Sequence, residues 1–152
     1  MEENWKEAEA LIGKYPAKLD DKNRLFVPAK LREELGSVFF VTLGTNGGHR
    51  CLTIHPAAAW QRLTDNYNAL SLAQRAKGLN VIFHNALECR PDKQFRFGLN
   101  SSLMSYAGIG REVIIVGCAG QAEIWDAAEY EAYEAENLSP EKLLAALEAI
   151  GL

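Results

Sequence analysis

Two short segments of the chain repeat an acid followed four residues later by an arginine. The pairs are Asp20 with Arg24, in LDDKNRLFVP (residues 19–28), and Asp92 with Arg96, in PDKQFRFGLN (residues 91–100). If the acid and the arginine share one tight turn, the carboxylate can accept backbone hydrogen bonds and hold the guanidinium outward as a rigid fork. Such a fork can bind a phosphate group or pair bidentately with guanine. The alternative is an ion pair that only pins the turn, worth about 0–1 kcal/mol, and the spacing alone favours this alternative.

Basic residues surround the first pair, although the whole chain carries a net charge of −4. Between residues 14 and 32 the basic side chains are Lys14, Lys18, Lys22, Arg24, Lys30 and Arg32, and the acids are Asp20 and Asp21. From residue 123 onward the chain is strongly acidic, with Lys142 as its single base. This asymmetry predicts a local basic surface on an acidic body, and local potential governs a phosphate contact. A solvated basic face with no partner remains the alternative.

The bulk composition is typical of one globular domain. The chain has 152 residues, of which 48% are hydrophobic and 24% charged. It has no apolar run of about 18 residues, so we expect no transmembrane helix. Its acidic start, MEENWKEAEAL, lacks the plan of a signal peptide. The three scattered cysteines predict reduced thiols and a cytoplasmic protein.

The chain contains an internal duplication. Sliding the sequence against itself superimposes Asp20 on Asp92, Arg24 on Arg96, Leu31 on Leu103 and Gly36 on Gly108. With loops absorbing small offsets, FFVTLG (39–44) matches EVIIVG (112–117), and LTIHPAAAW (52–60) matches AEIWDAAEY (122–130). The repeated unit is about 50 residues long, and self-similarity of this kind bears on the whole fold.

Each repeat reads as strand, helix, strand, strand, helix. The predicted strands are 24–27, 38–43 and 51–54 in the first repeat, and 96–99, 112–117 and 121–124 in the second. The last strand of each repeat alternates as a half-buried strand should. A short helix follows Pro28, its counterpart is capped by Asn100 or Ser101, and longer helices follow Pro56 and Asp126. Strands this short need a partner sheet, so we predict one α+β domain with a mainly β core.

The remaining segments lie outside this pattern. We predict an N-terminal extension (1–11) with Trp5 and Leu11 on an amphipathic helix, a first repeat (12–77), a second repeat (78–137) and a C-terminal helix (138–152). Residues 78–89 should supply a strand or a turn of helix between the repeats. The last helix is capped by Ser139, and its apolar stripe must pack on this chain or on a neighbour.

Other reactive residues form weaker patterns. His49, Cys51 and His55 share one strand face, but no second pair at ligand spacing completes a metal site, and Cys51 is expected to pack as a small apolar residue. Cys118 lies in a predicted tight turn without a histidine nearby in sequence, so we do not expect a nucleophile. The glycines of GTNGGH (44–49) indicate a hairpin loop.

The combined motifs resemble one known family. KLDDKNRLFVPAKLREELG, CLTIHP before Trp60, and VIIVG before IWD are similar to the MraZ family of bacterial transcriptional regulators. That family's pattern is Asp-x-Lys-Gly-Arg, an apolar strand and Pro-Ala-Lys-x-Arg. The first repeat matches it at Asp20, Lys22, Arg24, Pro28, Ala29, Lys30 and Arg32.

The resemblance implies a fold and a function. It implies two tandem SpoVT/AbrB-like swapped-hairpin units that form one pseudo-symmetric barrel with flanking helices. It also implies a ring-shaped homo-oligomer, not an enzyme, that is cytoplasmic and nucleoid-associated. This oligomer would repress the division and cell-wall gene cluster by binding direct repeats in double-stranded promoter DNA. We expect no cofactor, metal, membrane or small-molecule substrate. The alternative is an AbrB-like antitoxin or assembly module whose acidic C-terminal third binds a protein partner.

The same resemblance assigns candidate DNA-binding residues. They are Lys18, Asp20, Lys22, Arg24, Lys30 and Arg32 in the first repeat, with Asp92 and Arg96 in the second. The lysines and Arg32 would contact phosphates, which add affinity but little sequence information. Asn23 and Phe95 replace the family glycine before each arginine. Asparagine tolerates a left-handed turn, whereas phenylalanine does so rarely. We therefore expect the second turn to have changed shape and the first pair to make most of the contacts.

Overall fold

The computed structural model describes residues 10–152, which form a mixed α/β fold with a mainly β core. The strands are β1 (Lys14–Lys18), β2 (Arg24–Phe26), β3 (Phe39–Asn46), β4 (His49–Pro56), β5 (Leu87–Cys89), β6 (Arg96–Gly98), β7 (Glu112–Gly117) and β8 (Ala122–Asp126). The α-helices are α1 (Arg32–Leu35), α2 (Ala57–Asn68), α3 (Leu72–Arg75), α4 (Val81–His84), α5 (Ser101–Ala107), α6 (Ala127–Asn137) and α7 (Pro140–Ile150). A short 3-10 helix, Ala29–Leu31, precedes α1. The predicted helix position of Trp5 lies outside the described residues.

Strand pairing joins the two repeats in both sheets. One sheet has the order β1-β7-β8-β4-β3-β5, and a second contains β2 and β6. Four of these pairings, β1 with β7, β4 with β8, β3 with β5 and β2 with β6, cross between the predicted repeats, and all are antiparallel. Neither repeat could form these sheets alone, which agrees with the expectation that the short strands need each other. The swapped-hairpin barrel remains a prediction, because the order of the larger sheet has β1 and β5 as its ends.

Most predicted elements are present, with their caps. Asn100 Oδ1 accepts a hydrogen bond from the Leu103 amide at 2.9 Å, and Ser139 caps α7. The bridge between the repeats contains both a short helix, α4, and a strand, β5. The turn between β3 and β4 has left-handed backbone at Gly47 and Gly48, as a tight hairpin requires. No helix within residues 10–152 is long and apolar enough to cross a membrane.

Three local expectations are wrong. Strand β1 was not expected, and it supplies an end of the larger sheet. Strands β4 and β8 are buried on both faces instead of alternating, because they lie side by side within the sheet and helices pack on them. Leu11 is not helical: it is 2% exposed and pairs in extended backbone with Ala119. Gly117 permits this approach, since an added Cβ would lie 2.3 Å from the Leu11 backbone.

The main hydrophobic core connects the larger sheet to the β2–β6 pair. Leu25 and Phe97, which are opposite each other in β2 and β6, are 1% and 3% exposed. The Phe97 ring meets Phe39 of β3 edge-to-face, with 5.1 Å between the ring centroids. Burial of an aromatic or aliphatic side chain of this size stabilises the folded chain by about 1.5–3 kcal/mol. The inner face of the small sheet is therefore anchored, and its outer face is left to solvent.

A polar cluster holds α6 against the β3–β4 hairpin. His49 Nδ1 lies 2.5 Å from Glu129 Oε2 and His49 Nε2 lies 3.1 Å from Glu136 Oε1, and both acids are on α6. The hydrogen bonds from Glu129 and then Glu136 raise the pKa of His49 above its ordinary value. The ring also packs near Trp125 and Tyr133. The charged form of His49 thus favours the docked position of α6.

Replacement of His49 by glutamine should destabilise the protein more in acid than in base. A raised pKa in the folded chain means that the stabilisation is fully present below the unfolded value of about 6.5 and is lost as pH rises through the raised pKa. Urea unfolding of both proteins at about pH 5.5 and about pH 9 measures the difference. The difference in the free energy of unfolding between wild type and variant should shrink at the higher pH. His84→Gln, at an exposed histidine of α4, is the matched control. A difference that grows with pH would contradict the assignment.

Candidate nucleic-acid interface

The β2–β6 pair forms a short ribbon that carries both arginines on one face. Arg24 of β2 is opposite Gly98 of β6, and Arg96 of β6 is opposite Phe26 of β2. Leu25 lies between Arg24 and Phe26 and is opposite Phe97. Alternate residues of a strand point to opposite faces. Since Leu25 and its partner Phe97 are buried, the arginines lie on the outer face, at diagonal corners of the ribbon. The two repeats therefore place their Asp–Arg pairs beside each other on one exposed surface.

The first turn holds Arg24 through the Asp20 carboxylate. Asp20 Oδ1 accepts hydrogen bonds from the amides of Lys22 and Arg24, both at 2.9 Å. Asp20 Oδ2 accepts the Arg24 Nε–H at 2.9 Å. Asn23 closes the turn with φ at 58°, in the left-handed region that asparagine tolerates. One carboxylate thus fixes both the backbone of the turn and the plane of the guanidinium.

The second turn has the same geometry, which corrects the expectation that it had changed shape. Asp92 Oδ1 accepts from the amides of Gln94 at 2.8 Å and Arg96 at 3.0 Å, and Asp92 Oδ2 accepts the Arg96 Nε–H at 2.9 Å. Phe95 adopts φ of 63°, although left-handed backbone costs a non-glycine residue about 1–2 kcal/mol. The Arg32 guanidinium lies over the Phe95 ring, 4.0 Å from its centroid. The hydrogen bonds of the turn and this stacking offset the strain.

Both carboxylates are held in their charged form. At Asp20, desolvation acts against this, but hydrogen bonds from the backbone of Arg24 and Lys22 and from the Arg24 side chain lower its pKa overall. At Asp92 the backbone hydrogen bond from Arg96 is the main cause of a lowered pKa. At neutral pH each turn therefore presents a complete ion pair.

The guanidinium groups remain accessible to a ligand. The side chains of Arg24 and Arg96 are 29% and 26% exposed. Among residues 10–152, each arginine uses Nε for its acid and donates no terminal Nη hydrogen bond. Each aspartate and its arginine form an intramolecular ion pair, as predicted by the interpretation in which the pair pins the turn. The terminal nitrogens of each arginine still face outward for phosphate or base atoms, so pinning the turn and binding a ligand are compatible.

The other predicted side chains surround the ribbon in different ways. Lys18, Lys22 and Lys30 are exposed on the segments that lead into and out of β2. Arg32 is committed to the fold, because its Nε donates to the Val27 carbonyl at 2.9 Å while its guanidinium stacks on Phe95. Lys93, which is exposed beside Asp92, was not among the predicted binding residues. Its position directly after Asp92 in the sequence could have identified it as a binding residue.

The weaker candidate sites do not assemble. His55 Nε2 shares a hydrogen bond of 2.9 Å with Thr42 Oγ1, and His49 is engaged by two acids on α6. Cys51 is fully buried beside Trp125, and burial raises the pKa of its thiol to about 12. Within residues 10–152, no group of three His, Cys, Asp or Glu is arranged to hold a metal ion.

Known proteins with similar sequences place the chain. A model of the MraZ protein family, described as putative antitoxin-like, matches residues 10–80 and again residues 82–148. A transcriptional regulator MraZ from Finegoldia magna is 38% identical over 128 residues, which are 83% of this chain and 87% of that protein. A transcriptional regulator MraZ from Halothermothrix orenii is 33% identical over 144 residues, which are 93% of this chain and 99% of that protein. The double match agrees with the internal duplication, and the chain belongs to the MraZ family.

Proposed function

We propose that this protein is a DNA-binding transcriptional regulator whose two Asp–Arg turns contact double-stranded DNA. The observation that carries the proposal is the ribbon: Arg24 and Arg96 lie on one exposed face, each fixed by an acid in the same geometry. Relatives that cover most of the chain are named transcriptional regulators. We propose a non-enzymatic regulator, in keeping with the relatives that are named transcriptional regulators.

The ribbon suits the major groove of DNA. That groove is about 12 Å wide and admits a two-stranded β-ribbon, and arginine held as a fork can bond to guanine O6 and N7. Lys18, Lys22 and Lys30, and Lys93 on the second turn, would contact phosphates on either side. These lysines are exposed in the segments next to β2 and β6, on a chain whose net charge is −4. Local attraction at the ribbon and repulsion elsewhere would orient the molecule as it approaches DNA.

The finer proposals follow from the family. We propose a ring-shaped homo-oligomer that represses the division and cell-wall gene cluster by binding direct repeats in its promoter. Each chain would contribute a pseudo-symmetric barrel and would work in the cytoplasm, associated with the nucleoid. A ring presents many ribbons to repeated sites, so modest affinity for each site becomes strong overall binding through effective concentration.

Removal of either arginine should weaken promoter binding to a similar extent. Since both turns hold their arginine alike, Arg24→Ala and Arg96→Ala should each lose about 1–3 kcal/mol per site, or about 5- to 150-fold in affinity. Fluorescence anisotropy with the DNA directly upstream of the gene for this protein measures the loss. Arg62→Ala, an exposed arginine on α2, is the control for loss of charge. Unchanged binding by both ribbon variants would refute the proposal.

Neutralising the acid of the first turn should reduce selectivity without reducing overall attraction to DNA. Asp20→Asn removes a negative charge near the phosphates, so binding to unrelated DNA should hold or improve. The Arg24 fork loses its charged anchor, so the ratio of promoter to unrelated-DNA affinity should fall.

The neighbouring Asp21 provides a matched control for this effect. Its side chain is 98% exposed and lies 4.0 Å from Arg111 Nη2, and Asp21→Asn removes the same charge while the Asp20 hydrogen bonds of the turn remain. The two variants should therefore bind unrelated DNA alike and differ in selectivity. An equal ratio of affinities in both would show that the carboxylate of Asp20 does not position the arginine.

The C-terminal helix favours a second candidate function, the binding of a protein partner. The apolar side chains of α7 are exposed: Leu143, Leu144, Leu147 and Ile150. Acidic residues flank them, which would suit a protein partner of an antitoxin or assembly module.

A chain ending after Asn137 separates the two functions. A DNA-binding regulator should still recognise its promoter if the assembly survives, as light scattering would report. Intact assembly with lost recognition would favour the alternative.

A further inference from the structure

The two ends of the β2–β6 ribbon differ in chemistry, although they are related by the internal repeat. At one end, which we call the second-turn end, Arg96 lies across from Phe26 and directly follows Phe95. The carbonyl of Phe95 accepts the amide hydrogen bond of Val27 at 2.8 Å, so both phenylalanines belong to the same end. This end is basic and apolar.

The other end carries an arginine without apolar neighbours. At this first-turn end Arg24 lies across from Gly98 and directly follows Asn23. Gly98 presents no side chain to a ligand, and an added Cβ would make ordinary contacts there, with the Arg24 side chain at 3.7 Å and the Asn23 carbonyl oxygen at 3.9 Å. Glycine is therefore not required by crowding, and the outer face at this end is basic and polar.

The phenylalanines of the second-turn end are not explained by the core. Phe26 is 55% exposed and Phe95 is 45% exposed. The inner face of the ribbon is already filled by Leu25 and Phe97. Exposed apolar residues are ordinary when they are isolated, but these two adjoin Arg96, which we propose contacts DNA. The Arg32 guanidinium, which also donates to the Val27 carbonyl, covers the Phe95 ring at 4.0 Å from its centroid, so Phe26 is the phenylalanine considered for a ligand.

Such a surface fits a ligand that is anionic along its backbone and locally apolar. In the major groove of DNA the 5-methyl group of thymine is the apolar group on the base edges, and phenylalanine is one of the side chains that contact it. We propose that the second-turn end reads a thymine next to the base or phosphate bound by Arg96, with Phe26 against the thymine methyl group. This inference rests on the proposed DNA binding of the ribbon.

The unequal ends also give the ribbon a direction. A ribbon with identical ends would read the same bases in either orientation on the DNA. With a thymine reader at one end only, each chain favours one orientation of its site. Copies arranged in a ring with the same orientation would then match direct repeats, in which every site has the same polarity.

Replacement of thymine by uracil in the promoter fragment isolates the methyl group. The wild-type protein should bind the uracil-containing fragment about three- to fivefold more weakly for each contacted methyl, the scale of burying one such group. Phe26→Ala should bind the thymine fragment more weakly by a similar factor and should be insensitive to the uracil replacement. Phe26→Leu should keep part of the sensitivity, because the side chain remains apolar.

Controls separate this inference from the proposed function. Leu72→Ala removes an exposed apolar side chain from α3, 78% exposed, and should leave the uracil effect unchanged. Equal binding of both fragments by wild type, or full uracil sensitivity in Phe26→Ala, would overturn the thymine reader while leaving DNA binding intact. A wild-type protein that binds neither fragment would overturn the proposed function, and this inference with it.

Discussion

The bond on which the candidate interface depends is the one between an aspartate carboxylate and an arginine Nε four residues later. It occurs twice, at 2.9 Å in both turns, and in each case the second oxygen of the carboxylate accepts two backbone amides. The acid therefore shapes the loop and orients the cation at once. Because one edge of the guanidinium is occupied, the other edge is presented in a fixed direction, which reduces the entropy lost when a ligand binds.

The fold explains how two distant segments present one surface. Strand β2 comes from the first repeat and β6 from the second, and their inner residues reach the core through Leu25 and Phe97. Three further pairings between the repeats enclose this core. A short two-stranded ribbon is marginal alone, so its rigidity comes from the sheet behind it. The acidic helix α6 packs on β7 and β8 of the larger sheet, where its Glu129 and Glu136 contact His49.

The sequence predicted the elements and the Asp–Arg pairs well, because these depend on local chemistry. Asn100 and Ser139 are caps, and the spacing of Asp20 and Arg24 corresponds to the turn that the structure contains. The prediction for the second turn was wrong because phenylalanine rarely adopts left-handed backbone. Phe95 does so here, and Arg32, which is distant in sequence, stacks on its ring. Strand β1 was missed because KYPAK contains Pro16 and has no clear alternation of apolar residues; proline is tolerated in an edge strand. The full burial of β4 and β8 depends on pairing between repeats, which no local pattern reveals.

The most direct measurement is a salt titration of the wild-type protein against two DNA fragments of equal length. One fragment is the DNA directly upstream of its own gene, and the other has the same composition in scrambled order. If the ribbon reads DNA, the logarithm of the binding constant falls linearly with the logarithm of salt concentration for both, and the promoter is bound at least about 10³-fold more tightly. Equal affinity for the two fragments, or binding that does not change with salt, would contradict the proposal that two positively charged turns recognise a promoter.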